Sequence, residues 1–340
     1  MKIDCHVHLV AMSQASGCRV SRRLRFFLRF LGVRGARTPE EFDRLYVEKL
    51  AAEVCASELD RVVLLALDRV HGEDGAPDDG RTDLFVSNDH AHSVVRRHRD
   101  VFLFGASVHP YRADALDELD RVASMGACLV KLLPNSQGFD PAAPRLRSYW
   151  RRLAELGMPA LVHGGFEHTL GVIDQSFGDP AQLEPALDEG ATVIVAHAGT
   201  AGLMHRRETL GAFLALLAKY PRCYGDTSAL GNAWRAHYLR LLLDPDLLER
   251  RFGVRIDDAA KRLVHGSDHP IPITPLAFAG RIPLEKLRRV GRLENPLQKD
   301  VQLKRAAGLP DAALTRAYDE IGIGKPSAII QEHTPGLSAT

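Results

Sequence analysis

The chain lacks most of the features that would set it apart from an ordinary globular protein. Its 340 residues include only five cysteines, Cys5, Cys18, Cys55, Cys128 and Cys223. They are odd in number, widely scattered and without Cys-x-x-Cys spacing, which argues against a disulfide framework or a structural zinc knuckle. A reducing, cytoplasmic setting is the expectation that follows. Net charge is also scarce: 44 basic and 43 acidic residues leave a formal +1, so no basic field points to nucleic acid as a partner. No apolar run approaches the ~20 residues of a membrane span. A cleaved leader is not expected either, because chemistry-bearing residues already stand at positions 6 and 8. Internal repeats and low-complexity segments are missing.

What is present is concentrated at the ends of short apolar runs. Met1-Lys2-Ile3-Asp4-Cys5-His6-Val7-His8 reads as a strand ending in two histidines one residue apart. Strand side chains alternate, so His6 and His8 share a face, and simple alternation puts Asp4 behind them as a hydrogen-bond partner for a ligand ring. Two imidazoles cannot hold a catalytic divalent ion alone, since such sites use three or more protein ligands and keep one position open. Three later runs end in suitable groups: Pro159-Ala-Leu-Val-His163, Val193-Ile-Val-Ala-His197 and Leu263-Val-His-Gly-Ser-Asp268.

Helical patterns alternate with these runs, which predicts a (β/α)8 barrel in one domain over 1–325, with 326–340 as an extension. The expected strands are 1–8, 61–68, 101–108, 127–134, 159–163, 193–197, 222–228 and 262–268. Residues 71–81, rich in Gly and Asp, read as a surface loop. A long insertion, 9–45, follows the first strand. Within it Leu24, Phe27, Leu28 and Leu31 fall at helical spacing against Arg22, Arg25 and Arg29, predicting a helix that serves as a lid or a homodimer contact rather than a membrane-surface element. A helix from Pro39 to about Glu58 follows.

Barrel enzymes place their active sites at the C-terminal ends of the strands, so the candidate ligands converge on one mouth. His6, His8 and Asp268 come from the first and last strands, which become neighbours on closure, and His163 reaches from across. A nitrogen-rich set with one carboxylate suits zinc best, although iron, manganese and cobalt fit by ligand type. A bound ion would lower the pKa of its water, and Asp268 is placed to accept the proton.

These motifs, together with Gly266-Ser-Asp268-His-Pro270 and the closing Asn295-Pro-Leu-Gln-Lys-Asp-Val-Gln-Leu-Lys-Arg-Ala-Ala-Gly-Leu-Pro310, make the sequence resemble the amidohydrolase superfamily. The resemblance is to its amidohydrolase-related branch, which includes aminocarboxymuconate semialdehyde decarboxylase. It implies that His6, His8, His163 and Asp268 bind the metal, one ion or two, and that His197 is either a second-metal ligand or an acid/base. Lys131, ending the fourth strand, is either a carbamate bridging two ions or a cation facing substrate. His109, Glu167 and His168 are candidates for substrate contact, and His205 and Arg206 for carboxylate recognition.

The leading function is hydrolysis of an amide, ester or lactone in a small molecule by a water activated at the ion. Nonoxidative decarboxylation of an unsaturated or aromatic acid is the alternative. A TatD-like deoxyribonuclease is disfavoured by Lys131, where that group carries a carboxylate. A catalytically silent barrel is disfavoured because all five of His6, His8, His163, His197 and Asp268 are present.

Overall fold

The structure, a computed structural model, describes residues 1–202, 209–253 and 259–325. Eight strands follow one another around a single sheet: β1 (Ile3–His8), β2 (Arg61–Leu65), β3 (Phe102–Ala106), β4 (Leu129–Leu132), β5 (Ala160–His163), β6 (Val193–Ala196), β7 (Cys223–Asp226) and β8 (Leu263–Val264). Every neighbouring pair is parallel. Backbone hydrogen bonds then join the two ends of the sheet. Cys5 N–H donates to the His265 carbonyl at 3.0 Å, Asp268 N–H to that of His6 at 2.9 Å, and His8 N–H to that of His269 at 3.0 Å.

The apolar runs make this architecture because each strand is covered on both faces. One set of side chains, among them Ile3, Val63, Leu65, Leu129, Leu161 and Ile194, fills the inside of the ring. The alternate residues, such as Val62, Leu64, Val130 and Val193, pack outward beneath the helices. Gly105 is required in β3: a Cβ there would lie 2.7 Å from Leu65 Cδ2 and 2.8 Å from Val63 Cγ1, so a side chain would collide with the barrel filling. The helix Ala312–Asp319 and Ile323 close the foot of the barrel.

Simple alternation fails in β1. Its register with β2 slips between Asp4 and Val7, and a bulge of this kind resets which residues face inward. Ile3 and Cys5 join the inner filling ahead of the slip. Beyond it His8, paired with Leu65, faces the same interior. Asp4 is thereby turned away from the histidine rings, contrary to the alternation argument, and lies against Ser267 and His265.

The strands are shorter than the apolar runs suggest. The eighth shrinks to two residues because the chain leaves extended geometry before Asp268, whose φ is +64°. The helix Pro39–Cys55 starts where expected, with proline in its first turn and Thr38 Oγ1 accepting the Glu41 N–H at 3.2 Å. Between β1 and that helix lie short elements rather than the expected amphipathic α-helix: Arg19–Val20 pairs antiparallel with Leu84–Phe85, and Leu24–Leu31 forms 3-10 turns. Leu24 and Leu31 are buried there while Phe26 and Phe30 face outward, with Arg29 over both rings. Among the described residues no helix is long and apolar enough to cross a membrane. The extension at 326–340 lies outside the described residues.

Candidate metal centre

His6, His8 and Asp268 meet at one point, with ligand atoms all within 4.8 Å of one another. Asp268 Oδ1 lies 3.4 Å from His6 Nε2 and 3.2 Å from His8 Nε2, and the two Nε2 atoms are 3.3 Å apart. Gly266 permits this approach, since a Cβ there would stand 2.9 Å from His6 Cβ. Lys131, fully buried in β4, brings its Nζ to 3.2 Å from His6 Nε2.

The hydrogen-bond network fixes which nitrogen of each ring is free. His6 Nδ1–H donates to Asp226 Oδ2 at 2.7 Å, leaving the Nε2 lone pair aimed into the group. Asp226 also accepts the His197 N–H at 2.7 Å and the Ser228 hydroxyl. His197 Nδ1 bonds to Ser228, 2.8 Å from its Oγ and 3.1 Å from its carbonyl oxygen. His197 Nε2 then accepts from His163 Nδ1 at 3.3 Å. The remaining atom, His163 Nε2, is buried with no hydrogen-bond partner among the described residues. An unpartnered buried lone pair is costly unless something electropositive meets it.

Burial lowers the pKa of His6, with the Lys131 charge adding to the effect, and brings that of His163 down to about 4. Burial and the nearby Arg235 charge hold His197 well below the ordinary imidazole range. These rings are neutral at pH 7, the form that ligates. Burial alone would raise Asp268, but the facing His6, His197 and His8 rings hold its carboxyl well below the usual range. The His6 and His8 imidazoles and the Asp268 carboxylate, supported from behind by Asp226, therefore fit a divalent ion of the zinc or manganese kind, and His163 stands outside that three-residue group. His197 and Asp268 also share a backbone signature, positive φ values of 56° and 64°, in a region that non-glycine residues seldom adopt and that clusters at functional sites.

The other expected residues are placed differently. Asp226, and not Asp4, supports the ligand ring. Asp4 Oδ1 instead accepts the backbone N–H groups of His6 and Ser267, both at 3.0 Å. His109 has both ring nitrogens engaged, Nε2 with the Gln137 carbonyl at 2.9 Å and Nδ1 with the Tyr111 N–H at 3.1 Å, so the structure does not bring it to the ion group. Glu167 Oε1 accepts the N–H groups of His168, Thr169 and Leu170, and its Oε2 lies 3.5 Å from His163 Nδ1. It shapes the loop after β5 while touching a ligand histidine. His168 stands on that loop beside Gly202. His205 and Arg206 lie outside the described residues. Sequence reasoning missed Arg235, a buried cation just past β7. The one signal for it is an arginine opening an apolar helix, Ala236–Leu242.

The comparisons with known proteins bear on the fold and the family. No curated protein matches the chain. Among solved structures, an uncharacterised TIM-barrel protein from Bordetella bronchiseptica aligns at 18% identity over 88% of this chain and 99% of its own, with a TM-score of 0.53. The apo form of Metarhizium anisopliae IDCase aligns at 13% identity over 93% and 96%, with a TM-score of 0.51. A 2,6-dihydroxybenzoate decarboxylase from Rhizobium aligns at 13% identity over 90% and 99%, with a TM-score of 0.47. At these identities the likeness is one of fold. The amidohydrolase family profile matches residues 3–301, nearly the whole barrel with every ligand candidate inside it, and the chain belongs to that family of metal-dependent enzymes.

Proposed function

We propose that this protein is a metal-dependent hydrolase that cleaves an amide, ester or lactone bond of a small molecule. One divalent ion, zinc by the donor set, would be held by His6, His8, Asp268 and the free Nε2 of His163. When bound, the ion supplies Lewis acidity toward water and the substrate carbonyl. The observation that carries the hydrolytic reading is the position of Asp268. Its Oδ1 faces the two ligand imidazoles, and its Oδ2 lies 3.9 Å from His197 Nδ1. A carboxylate so placed takes a proton from the attacking water and passes it to the leaving group. His197, pinned through Nδ1 by Ser228, orients the other side of the reacting centre.

Lys131 serves in this reading as a cation beside the ion rather than as a bridge between two. Elemental analysis tests that assignment: Lys131→Met should keep about one equivalent of metal, and a drop from two equivalents would establish the bridge instead. The segment at 9–45 acts as a cover over the mouth. Its Arg23 pairs at 2.9 Å with Asp83 Oδ2, which also accepts the Gly171 N–H at 2.7 Å from the loop carrying Glu167.

Decarboxylation is the second reading, favoured by two buried cations, Lys131 and Arg235, at one mouth. Turnover in isotopically labelled water separates the two. A hydrolase places solvent oxygen in its product, whereas carbon dioxide release with only a solvent proton taken up overturns the hydrolytic assignment.

A further inference from the structure

Between Asp4 and Glu40 the chain carries seven arginines and no acidic residue, whereas acidic residues outnumber basic ones over the rest of its length. All seven are exposed. Two of them fasten the segment to its neighbours: Arg19 pairs with Asp79 at 3.3 Å and Arg23 with Asp83 at 2.9 Å. The other five, Arg22, Arg25, Arg29, Arg34 and Arg37, pair with no acidic side chain among the described residues.

The segment is held in place. Leu24 and Leu31 are buried at the two ends of its 3-10 turns, the Ser21 N–H donates to the Asp83 carbonyl at 2.7 Å, and Arg19–Val20 pairs with Leu84–Phe85. From that platform Phe26 stands 59% exposed and Phe30 41%. The helical spacing that suggested a lid or a homodimer contact is replaced here by 3-10 turns, which send two rings outward among the arginines. Arg29 lies over both, 3.4 Å from the Phe26 centroid and 4.9 Å from that of Phe30.

Apolar rings framed by cations suit the headgroup layer of an anionic bilayer, where rings reach the acyl boundary and each cation adds to the attraction. Other occupants fit less well. A second copy docked isologously would set one arginine cluster against the other. A nucleic acid would use the ring faces for base stacking, and Arg29 already takes one face of each.

We propose that the outer face of residues 22–34 docks on an anionic lipid surface, with Phe26 and Phe30 entering the headgroup layer and Arg22, Arg25, Arg29 and Arg34 facing lipid phosphates. The attachment is peripheral and independent of the reaction at the ion centre.

Cosedimentation of the full chain with vesicles tests it, using phosphatidylcholine containing one-third phosphatidylserine against phosphatidylcholine alone. The parent should bind the anionic vesicles at least about tenfold more tightly, since each arginine near such a surface contributes about fivefold. Raising the ionic strength from about 0.1 M to about 1 M shortens the screening length to ~3 Å and should release most of it. Arg25→Glu with Arg29→Glu should abolish the binding. Phe26→Ser with Phe30→Ser keeps the charge and should weaken it by about tenfold or more. Arg96→Glu with Arg97→Glu makes the same change in net charge on the helix Asn88–Arg97 and should bind as the parent does. Because all these side chains are exposed, thermal melts should show each variant folded. Absence of vesicle binding, equal binding to both vesicles, or equal loss in the Arg96 and Arg97 variant overturns the proposal. So does a parent dimer that the Phe26 and Phe30 variant turns into monomer by light scattering, which would make the face a contact between copies. Retardation of a single-stranded oligonucleotide through the same arginines, without vesicle binding, would assign the face to nucleic acid instead.

Discussion

Two carboxylates, one at each end of the barrel, are both held in the ionised form, and by opposite means. At the foot, Glu58 is surrounded by donors: Arg305 at 2.6 and 2.7 Å, Gln302 at 2.7 Å, Lys2 at 3.0 Å and Gln298 at 3.1 Å. The Arg305 hydrogen bonds hold its carboxyl down at about 2. At the mouth, Asp268 lies 3.4 Å from His6 Nε2, whose ring is held from behind by Asp226, and 3.2 Å from His8 Nε2, while among the described residues His163 Nε2 has no hydrogen-bond partner and Arg235 no ion pair. The foot is complete in itself and fastens β1 to the helix Pro296–Ala306. Groups at the mouth are complete only with something added. Satisfied polar clusters stabilise, and unsatisfied ones bind.

The largest expected effect tests the mouth directly. Replacing both His6 and His8 with alanine should remove nearly all bound metal from unchelated protein, as measured by elemental analysis. Unchanged metal content would place the ion elsewhere. Asp268→Asn keeps the shape and loses the basicity, so turnover should fall by about 10²-fold or more while metal is largely retained. Asp226→Asn leaves the ligands in place but weakens the support of His6. Metal affinity, read by competition with a chelator, should fall by about 10- to 100-fold.

Glu58→Gln is the smallest effect and the counterpart to these. Because Glu58 keeps partial contact with water, the expected cost is about 1 kcal/mol or less of stability with turnover unchanged. Its pKa is lower in the folded than in the unfolded chain, so the stabilisation is fully present above the unfolded value of ~4.3 and fades as pH falls toward about 2. Denaturant melts of parent and variant should therefore converge as pH falls from about 4.3 to about 2. A Glu58→Gln protein that loses metal or turnover would erase the distinction between foot and mouth.

The barrel was legible because its strands are apolar runs with abrupt polar endings, three of them at His163, His197 and Asp268. The facing of β1 was not. A two-residue period puts Asp4 with His6 and His8, but the slip against β2 resets that period, and a bulge has no signature in so short a run. Asp226 and Ser228, ending the seventh strand, read as packing or hydrogen-bonding groups beneath the site, but that Asp226 serves His6 depends on β7 lying beneath a ring 220 residues earlier in the chain, which no local pattern encodes. His109 read as a candidate for substrate contact or for capping its strand end, and its ring nitrogens are engaged by the Gln137 carbonyl and the Tyr111 N–H. Arg235 was missed because a surface helix opening with arginine is commonplace in sequence. Only burial without a counter-charge distinguishes it.

The seam between β1 and the turn at Gly266 to His269 has a consequence for how the protein is made. Asp4 and Ser267, joined by one hydrogen bond, are 263 positions apart. Ligands at 6 and 8 acquire their third companion only when residue 268 has been synthesised and folded against them. Contacts of such long sequence separation are entropically slow to form, so the seam should zip late, after the intervening βα units have packed. An ion captured there would act as a clasp on the finished ring. Truncated or half-folded chains would hold metal poorly, and the catalyst would come into being only with the completed barrel.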